Sequence, residues 1–535
     1  MSDASAAAAA EADQTWLPDN PWAVTMVVMI GMMMSIIDAS IVNVSVPHMM
    51  GTFGASVSEI SWVVTAYSLA NVILIPLAAW LTTVLGRARL YGAAIIVFTS
   101  ASVLCGLAPT LETLIAARVL QGAAAGVLMP TGQAILYESF PAEKRGSSMA
   151  VFGVGVMVGP AIGPTLGGFI TDNYGWPWIF YINLPIGILA SILVPAILRD
   201  PPYLRRRANA RGDLVGIALL AVGIATMQYI LENGEDAGWF QSDWVVIAAT
   251  LSVLLLAGFV VWELDHPDPA VDLRVFADPS FRAASLVNVA IGVGLMGGMF
   301  MLPLFLQQLI GFNATQSGIV LVPGALATAV AMPICGRLSD KTDARVLSAF
   351  GLIVFAASMY MMSRLDSRAG ASDLLVPQIL RGIGMGFCFV PLSVAAMARI
   401  PRAQMGQATG LFNLTRQIGG SLGIAWLASL LDSYRQTHQS HLVGYVTPYS
   451  DVVRQQIAAT GAGLAARGIQ GDPQALGARV MYGRVMKASA ELAFRDMFLM
   501  IVALFLISVP LLMFLRRRDP ATAPVAPGGM AAHAD

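Results

Sequence analysis

The chain is written as long apolar stretches separated by short polar breaks. A helix needs about 20 mostly apolar residues to cross a hydrocarbon core about 30 Å thick. Fourteen runs meet that need, at approximately 22–46, 60–82, 90–108, 112–137, 147–171, 178–198, 213–232, 243–264, 282–306, 316–336, 345–363, 374–398, 407–431 and 497–515. The pattern predicts an all-α membrane protein, and an even number of crossings puts both ends of the chain on one side. Residues 1–20 hold Asp3, Glu11, Asp13 and Asp19 and no Lys or Arg. That is the wrong charge for the start of a secretory signal, so the first run is expected to remain as an anchor. The tail after Arg518 is rich in Ala, Pro and Gly and reads as disordered.

Lys and Arg in the short loops set the orientation. One set of loops, with the tail, holds 19 of them, among them Arg87, Lys144, Arg205, Lys341 and Arg516, whereas the opposite short loops hold Arg364 and Arg368 alone. Both termini are therefore expected in the cytoplasm. The opposite-side segment 433–495 is long enough to fold outside the membrane, and long loops escape the charge rule. It carries His438, His441, seven basic residues from Arg435 to Arg495 and the helix-compatible stretch ALGARVMYGRVMKASAEL. It reads either as a docking surface for an extracytoplasmic partner or as a solvated lid.

A shift of 260 residues lays Gly122 on Gly382, Gly126 on Gly386, Gly146 on Gly406, Gly159 on Gly419 and Gly163 on Gly423. Of ten glycines between 118 and 168, about one should match by chance and five do, so the chain is a duplication. This gives a cytoplasmic tail at 1–21, a six-helix bundle at 22–198, connectors and two inserted helices at 199–281, a second six-helix bundle at 282–515 that includes 433–495, and a tail at 516–535. Paired repeats of membrane helices are typical of secondary transporters, which bind their cargo between the repeats.

Composition narrows the chemistry. Only 12% of the residues are charged, against about 25% in soluble proteins, and the mean hydropathy is +0.70. The net charge of −1 offers no basic field for nucleic acid. Cys105, Cys335 and Cys388 lie in apolar runs and cannot build a zinc site or a disulfide framework. No P-loop or Ser/His/Asp constellation supports an enzyme or a non-transporting receptor.

Charge inside hydrocarbon is expensive and marks function. Four such residues lie well inside runs: Asp38, Arg118, Arg381 and Arg416. Asp38 is roughly 12 Å deep and Arg118 roughly 9 Å deep at about 1.5 Å per residue, so the two are expected to meet. Burial disfavours the charged carboxylate and a guanidinium favours it, a balance suited to loading and releasing a proton. A static ion pair is the alternative. Asn43, Asn71, Gln307, Gln308 and Asn413 are expected along a substrate cavity, with plain interhelical hydrogen bonding as the other reading. The methionines at 26, 29, 32, 33 and 34 are candidates for an adaptable apolar pocket or simple packing. The stretch GVGVMVGPAIGPTLGGF, Gly153 to Phe169, reads as a close and movable seam between helices.

These residues resemble the major facilitator superfamily, and within it the fourteen-helix drug:proton antiporter family of EmrB/QacA type. The likeness is carried by IDASIVNVSVPHM (Asp38, Asn43), by RVLQGAAAG (Arg118, Gln121, Gly122, Gly126) and by the antiporter motif with Gly155, Gly159, Pro160, Gly163, Pro164, Gly167 and Gly168. It implies two six-helix repeats plus two central helices and proton-coupled efflux of hydrophobic or amphipathic compounds, with Asp38 and Arg118 in coupling and no cofactor beyond the proton gradient. Export of a single endogenous metabolite is the rival reading. The gating motif is degenerate in the first half, which keeps Gly86 and Arg87 but has Ala79 and Thr83. It is intact in the second, with Gly336, Asp340, Lys341 and Arg345, so any cytoplasmic latch is expected mainly there. The stretches WPWIFYINLPIGI and AVDLRVFADPSF are similar to the EmrB branch, which implies a bacterial inner membrane, a periplasmic membrane-fusion adaptor and an outer-membrane channel.

Overall fold

The computed structural model describes residues 18–201, 213–235, 237–267, 269–447 and 449–515. The expected N-terminal tail, most of the arginine-rich connector around Arg205 and the C-terminal tail lie outside these residues. All regular structure among the described residues is helical. Helices begin where a polar side chain caps the first free backbone amides. Asn20 accepts from Trp22 N and Ala23 N to open α1 (Pro21–Phe53). Ser56 and Glu59 form a reciprocal capping box at α2 (Val57–Leu85). Gly86, with φ of +84°, makes the sharp turn into α3 (Arg87–Gly106), a conformation side chains resist. α4 (Leu111–Glu138), α5 (Arg145–Tyr174) and the paired segment α6 (Trp178–Tyr181 and Asn183–Ile197) complete the first bundle.

Two helices follow, α7 (Leu214–Asn233) and α8 (Asp243–Asp265), packed on each other and, through α7, on the flank of α2. The second bundle holds α9 (Pro279–Ile310), α10 (Ala314–Ser339), α11 (Ala344–Met362), α12 (Ala371–Met397), α13 (Met405–Tyr445) and α15 (Pro473–Ser508). The segment expected as a long loop is largely helical. α13 continues to Tyr445, and α14 (Asp451–Ala466) packs against the start of α15.

All fourteen expected runs lie on helices, yet among the described residues twelve helices are long and apolar enough to cross a membrane, or thirteen when the bent pair in α5 counts as one. α13 is too polar on average to qualify. The protein is a multi-pass membrane protein on either count.

The duplicated glycines sit at equivalent close approaches. A Cβ on Gly122 would lie 2.3 Å from the Tyr67 carbonyl oxygen of α2, and one on Gly382 would lie 2.2 Å from the Gly324 carbonyl oxygen of α10. Likewise Gly159 and Gly163 of α5 abut Ile36 and Ser40 of α1, while Gly419 and Gly423 of α13 abut Val289 and Val293 of α9. Small residues let membrane helices come within backbone contact, where dispersion and weak hydrogen bonds hold them.

The two bundles touch near the end of the molecule that carries Gly86 and Asp340, here called the base. At one seam α5 meets α10, with the site of a Gly146 Cβ only 2.4 Å from Gly336 O. At the related seam α2 meets α13, where a Gly406 Cβ would lie a looser 3.8 Å from Ala79. Higher up, Asn413 donates to Gln133 across the interface, and Phe152 stacks on Phe389 at 5.8 Å.

Candidate functional site

Asp38 and Arg118 meet in the interior of the first bundle. Arg118 Nη1 donates to Asp38 Oδ2 at 2.7 Å, and both side chains are almost wholly buried. The rest of the shell is polar and uncharged. Gln121 Nε2 donates to Asp38 Oδ1 at 2.9 Å, and Asn183 Nδ2 donates to the same oxygen at 2.8 Å. Arg118 Nε donates to Val63 O, and its Nη1 also reaches Gln121 Oε1. Asn183 further donates to Ser102 Oγ, whose hydroxyl donates to Phe180 O. All three groups aimed at Asp38 are donors, which suits an ionised carboxylate that can only accept. Oδ1 accepts two of these bonds and Oδ2 one, so the lone pair left on Oδ2 is where a proton could add.

Between the bundles lies a cavity of about 490 Å³. α1 supplies Ser35, Ile36, Ala39, Ser40 and Asn43, and α5 supplies Val156, Met157, Pro160 and Pro164. The second bundle contributes Met296, Met299 and Phe300 from α9, Arg381 and Met385 from α12, and Arg416 and Gln417 from α13. The seams at the base close one end; the cavity lies on their far side, where Asn43 is exposed. Tyr67 forms the wall between cavity and carboxylate. It lines the cavity, lies 4.0 Å beneath the Arg118 guanidinium and donates its hydroxyl to Ser35 O.

The other sequence candidates fall into place unevenly. Asn43 and Asn71 line the cavity. Asn413 is buried behind it, accepting from Arg416 Nη2 at 2.6 Å. Gln307 and Gln308 do not line it: the wide π turn Phe305–Ile310 turns Phe305, Leu306 and Leu309 inward and leaves both amides exposed. The methionines of α1 are also elsewhere, because Met29 and Met33 fill the grooves over Gly155 and Gly159, and Met32 packs on Gly132. The adaptable lining comes instead from Met129, Met157, Met296, Met299 and Met385.

The antiporter motif is a seam along α1. Gly155, Gly159, Gly163 and Gly167 face Met29, Ile36, Ser40 and Ile41 in turn, Gly168 lies beside Val44, and α5 bends by 42° between Pro160 and Ile162. Pro160 and Pro164 remove backbone donors at that bend.

The gating residues differ between halves as their sequences do. Asp340 accepts from Gly146 N at 2.7 Å and Ser147 Oγ at 3.1 Å, tying α10 to α5 across the bundles. Thr83, in the corresponding place, donates to Trp80 O of its own helix. Arg87 pairs with Glu138 at the end of α4, both buried. Lys341 is exposed, and Arg345 N caps against Asp343.

Two related helical bundles around a central cavity, sealed at one end and flanked by a buried carboxylate, define a secondary transporter. The chain belongs to the Major Facilitator Superfamily, whose profile matches residues 28–424. It is 33% identical over 431 residues to the multidrug export protein EmrB of Haemophilus influenzae, covering 80% of this chain and 84% of that one. It is 31% identical over 490 residues to the fatty acid resistance protein FarB of Neisseria gonorrhoeae, covering 91% and 94%. Among solved structures, the human organic anion transporter MFSD10 shares the fold with a TM-score of 0.63 at 14% identity, over 92% of this chain and 99% of that one.

Proposed function

We propose that the protein is a proton-coupled multidrug efflux antiporter of a bacterial inner membrane, with fourteen crossings divided at 22–198 and 282–515 and both termini cytoplasmic. The observation that carries the reading is the adjacency of a largely apolar, methionine-rich cavity, with polar groups set into its wall, to the Asp38–Arg118 centre, with Tyr67 touching both. A hydrophobic or amphipathic compound in the cavity presses on Tyr67, and Tyr67 bears on the guanidinium that holds the carboxylate. Cargo and proton then compete for one arrangement of the network. On this reading the base is the cytoplasmic side, and the conformation described is open to the outside. The relatives named for multidrug export and fatty acid resistance support the cargo class.

The test is transport by purified protein in proteoliposomes with an imposed proton gradient. Several unrelated amphiphiles should move against their own gradient only while the proton gradient lasts. Movement of a single compound would favour a dedicated metabolite exporter, and no gradient dependence would remove the antiport reading.

The α14 hairpin is the surface proposed for a periplasmic membrane-fusion adaptor, which would pass cargo to an outer-membrane channel. Tyr445 and Tyr449 beside it are 80% and 92% exposed, unusual for aromatics without a partner. Shortening 440–490 should cut export across the whole envelope while leaving proteoliposome transport largely intact. Equal collapse of both would make the hairpin a gate.

A further inference from the structure

The cavity carries positive charge and no negative charge. Arg381 and Arg416 line it, and none of its other lining residues is Asp, Glu, His or Lys. Asp38, the nearest acid in sequence to the lining of α1, is enclosed by its own donors within the first bundle. Neither cavity arginine has a carboxylate partner among the described residues. Arg416 is 7% exposed, and its Nη1 makes no hydrogen bond among them, although Nη2 is held by Asn413. Arg381 makes no hydrogen bond or ion pair among them either. Arg416 is partly compensated by Asn413 and by the Phe389 ring, 5.3 Å from its guanidinium, whereas Arg381, half-buried in the cavity wall, has no such contact among the described residues.

A second polar group lies behind the same wall. Gln378 lies one turn before Arg381 on α12, is fully buried, and has both amide atoms unpartnered among the described residues. Both side chains point at Gly324 of α10. A Cβ there would come within 3.0 Å of Gln378 O, 3.1 Å of Gln378 Oε1 and 3.5 Å of Arg381 Nη2, so glycine is what lets these polar groups sit against the backbone of α10. The remaining wall is apolar, with Met296, Met299, Phe300 and Leu321 on the second bundle.

We infer that Arg381, supported by Arg416, binds the anionic head of an amphipathic organic acid, a carboxylate or sulfonate, whose apolar body lies along the methionine-lined wall. A planar guanidinium takes a carboxylate through two parallel hydrogen bonds. A cationic amphiphile meets repulsion from both arginines in the same space. The inference rests on the efflux reading for the direction of movement, and on the cavity alone for the preference.

The experiment compares three probes with one fluorophore and one chain: dansyl-undecanoate, its methyl ester and its trimethylammonium analogue. Binding to the full-length protein in detergent is measured by fluorescence, and gradient-driven movement in proteoliposomes is measured separately. The expected result is binding of the carboxylate at least about tenfold tighter than the ester and tighter still than the cation, a step that charge-assisted hydrogen bonds readily supply. Arg381→Gln should shrink that ratio toward one, and Arg381→Lys should keep part of it, with the melting temperature of each variant reporting folding. Equal binding of the three probes by the unsubstituted protein overturns the inference without any variant. So does a ratio unchanged in a folded Arg381→Gln protein, or displacement of the bound carboxylate by phosphatidylglycerol, which would mark a lipid headgroup site. Preferential binding without gradient-driven movement would leave the anion site standing and sink the efflux reading, whereas movement without preference would do the reverse.

Discussion

Asp38→Asn is expected to abolish gradient-driven export while leaving a folded protein that still binds its cargo. The side chain keeps its size and polarity but cannot titrate, so the step that exchanges cargo for proton has no group to perform it. Its cost in stability is real. The new amide must point its NH2 either at Arg118 or at the two donors Gln121 and Asn183, and Arg118 loses its counter-ion. Breaking a buried pair costs about 3–5 kcal/mol when nothing replaces it, less here because the Asn carbonyl still accepts one or two of the three bonds. A static ion pair predicts that all loss of transport tracks loss of stability. Gln121→Met separates the two readings, since it removes a donor to Asp38 and leaves the carboxylate. It should lower the melting temperature yet retain coupling. Measured together, ligand affinity, melting temperature and substrate-induced proton release decide between them. Uphill export by a stable Asp38→Asn protein would exclude the coupling role.

Gly336→Leu is expected to hold the base open. Gly336 and Gly146 meet backbone to backbone, and a Cβ on Gly336 would already lie 2.7 Å from both Gly146 O and the Ala150 Cβ. Neither obstacle is a flexible chain end. Overpacking of this kind costs about 1–3 kcal/mol, and it falls only on the conformation in which the seam is shut. The population should therefore move by roughly tenfold or more toward base-open forms. A single cysteine introduced by Met332→Cys, buried behind the seam, reports the change in a protein lacking its three native cysteines. It should react with a water-soluble maleimide from the base side about ten times faster when Gly336→Leu is present than when Gly336 is kept, and net transport should fall in proportion. Unchanged labelling would show that the seam does not govern access.

The charged centre was legible in the sequence because a charge in an apolar run has few structural excuses. Asp38 and Arg118 stood out on that ground, and their depths placed them level. Tyr67, Asn183 and Ser102 did not. Each is a common residue in membrane helices, and only the rotation of α2, α3 and α6 about their axes brings them to the Asp38–Arg118 centre. Glu138 was hidden for another reason: at the end of its span it looks like a loop acid, whereas it is buried against Arg87. Polarity alone points Gln307 and Gln308 to the cavity, whereas the π turn at Phe305–Ile310 leaves both exposed away from it. The helical continuation of α13 escaped a reading built on apolar length, since a helix that leaves hydrocarbon keeps its hydrogen bonds and loses only its hydrophobicity. The duplicated glycines were readable in advance, and they record where backbones touch.

A cavity lined by two cations and no acid has an electrical consequence. Moving an organic anion outward while one proton moves inward carries two positive charges in the same direction, so the exchange is a current as well as a flux. A membrane negative inside then drives it at about 2.3 kcal/mol per charge for each 100 mV, even where the two solutions have equal pH. A monovalent cation exchanged for one proton would gain nothing from the voltage. If the antiport reading and the anion preference proposed above both hold, the preferred cargo is the one the cell's own battery helps to expel.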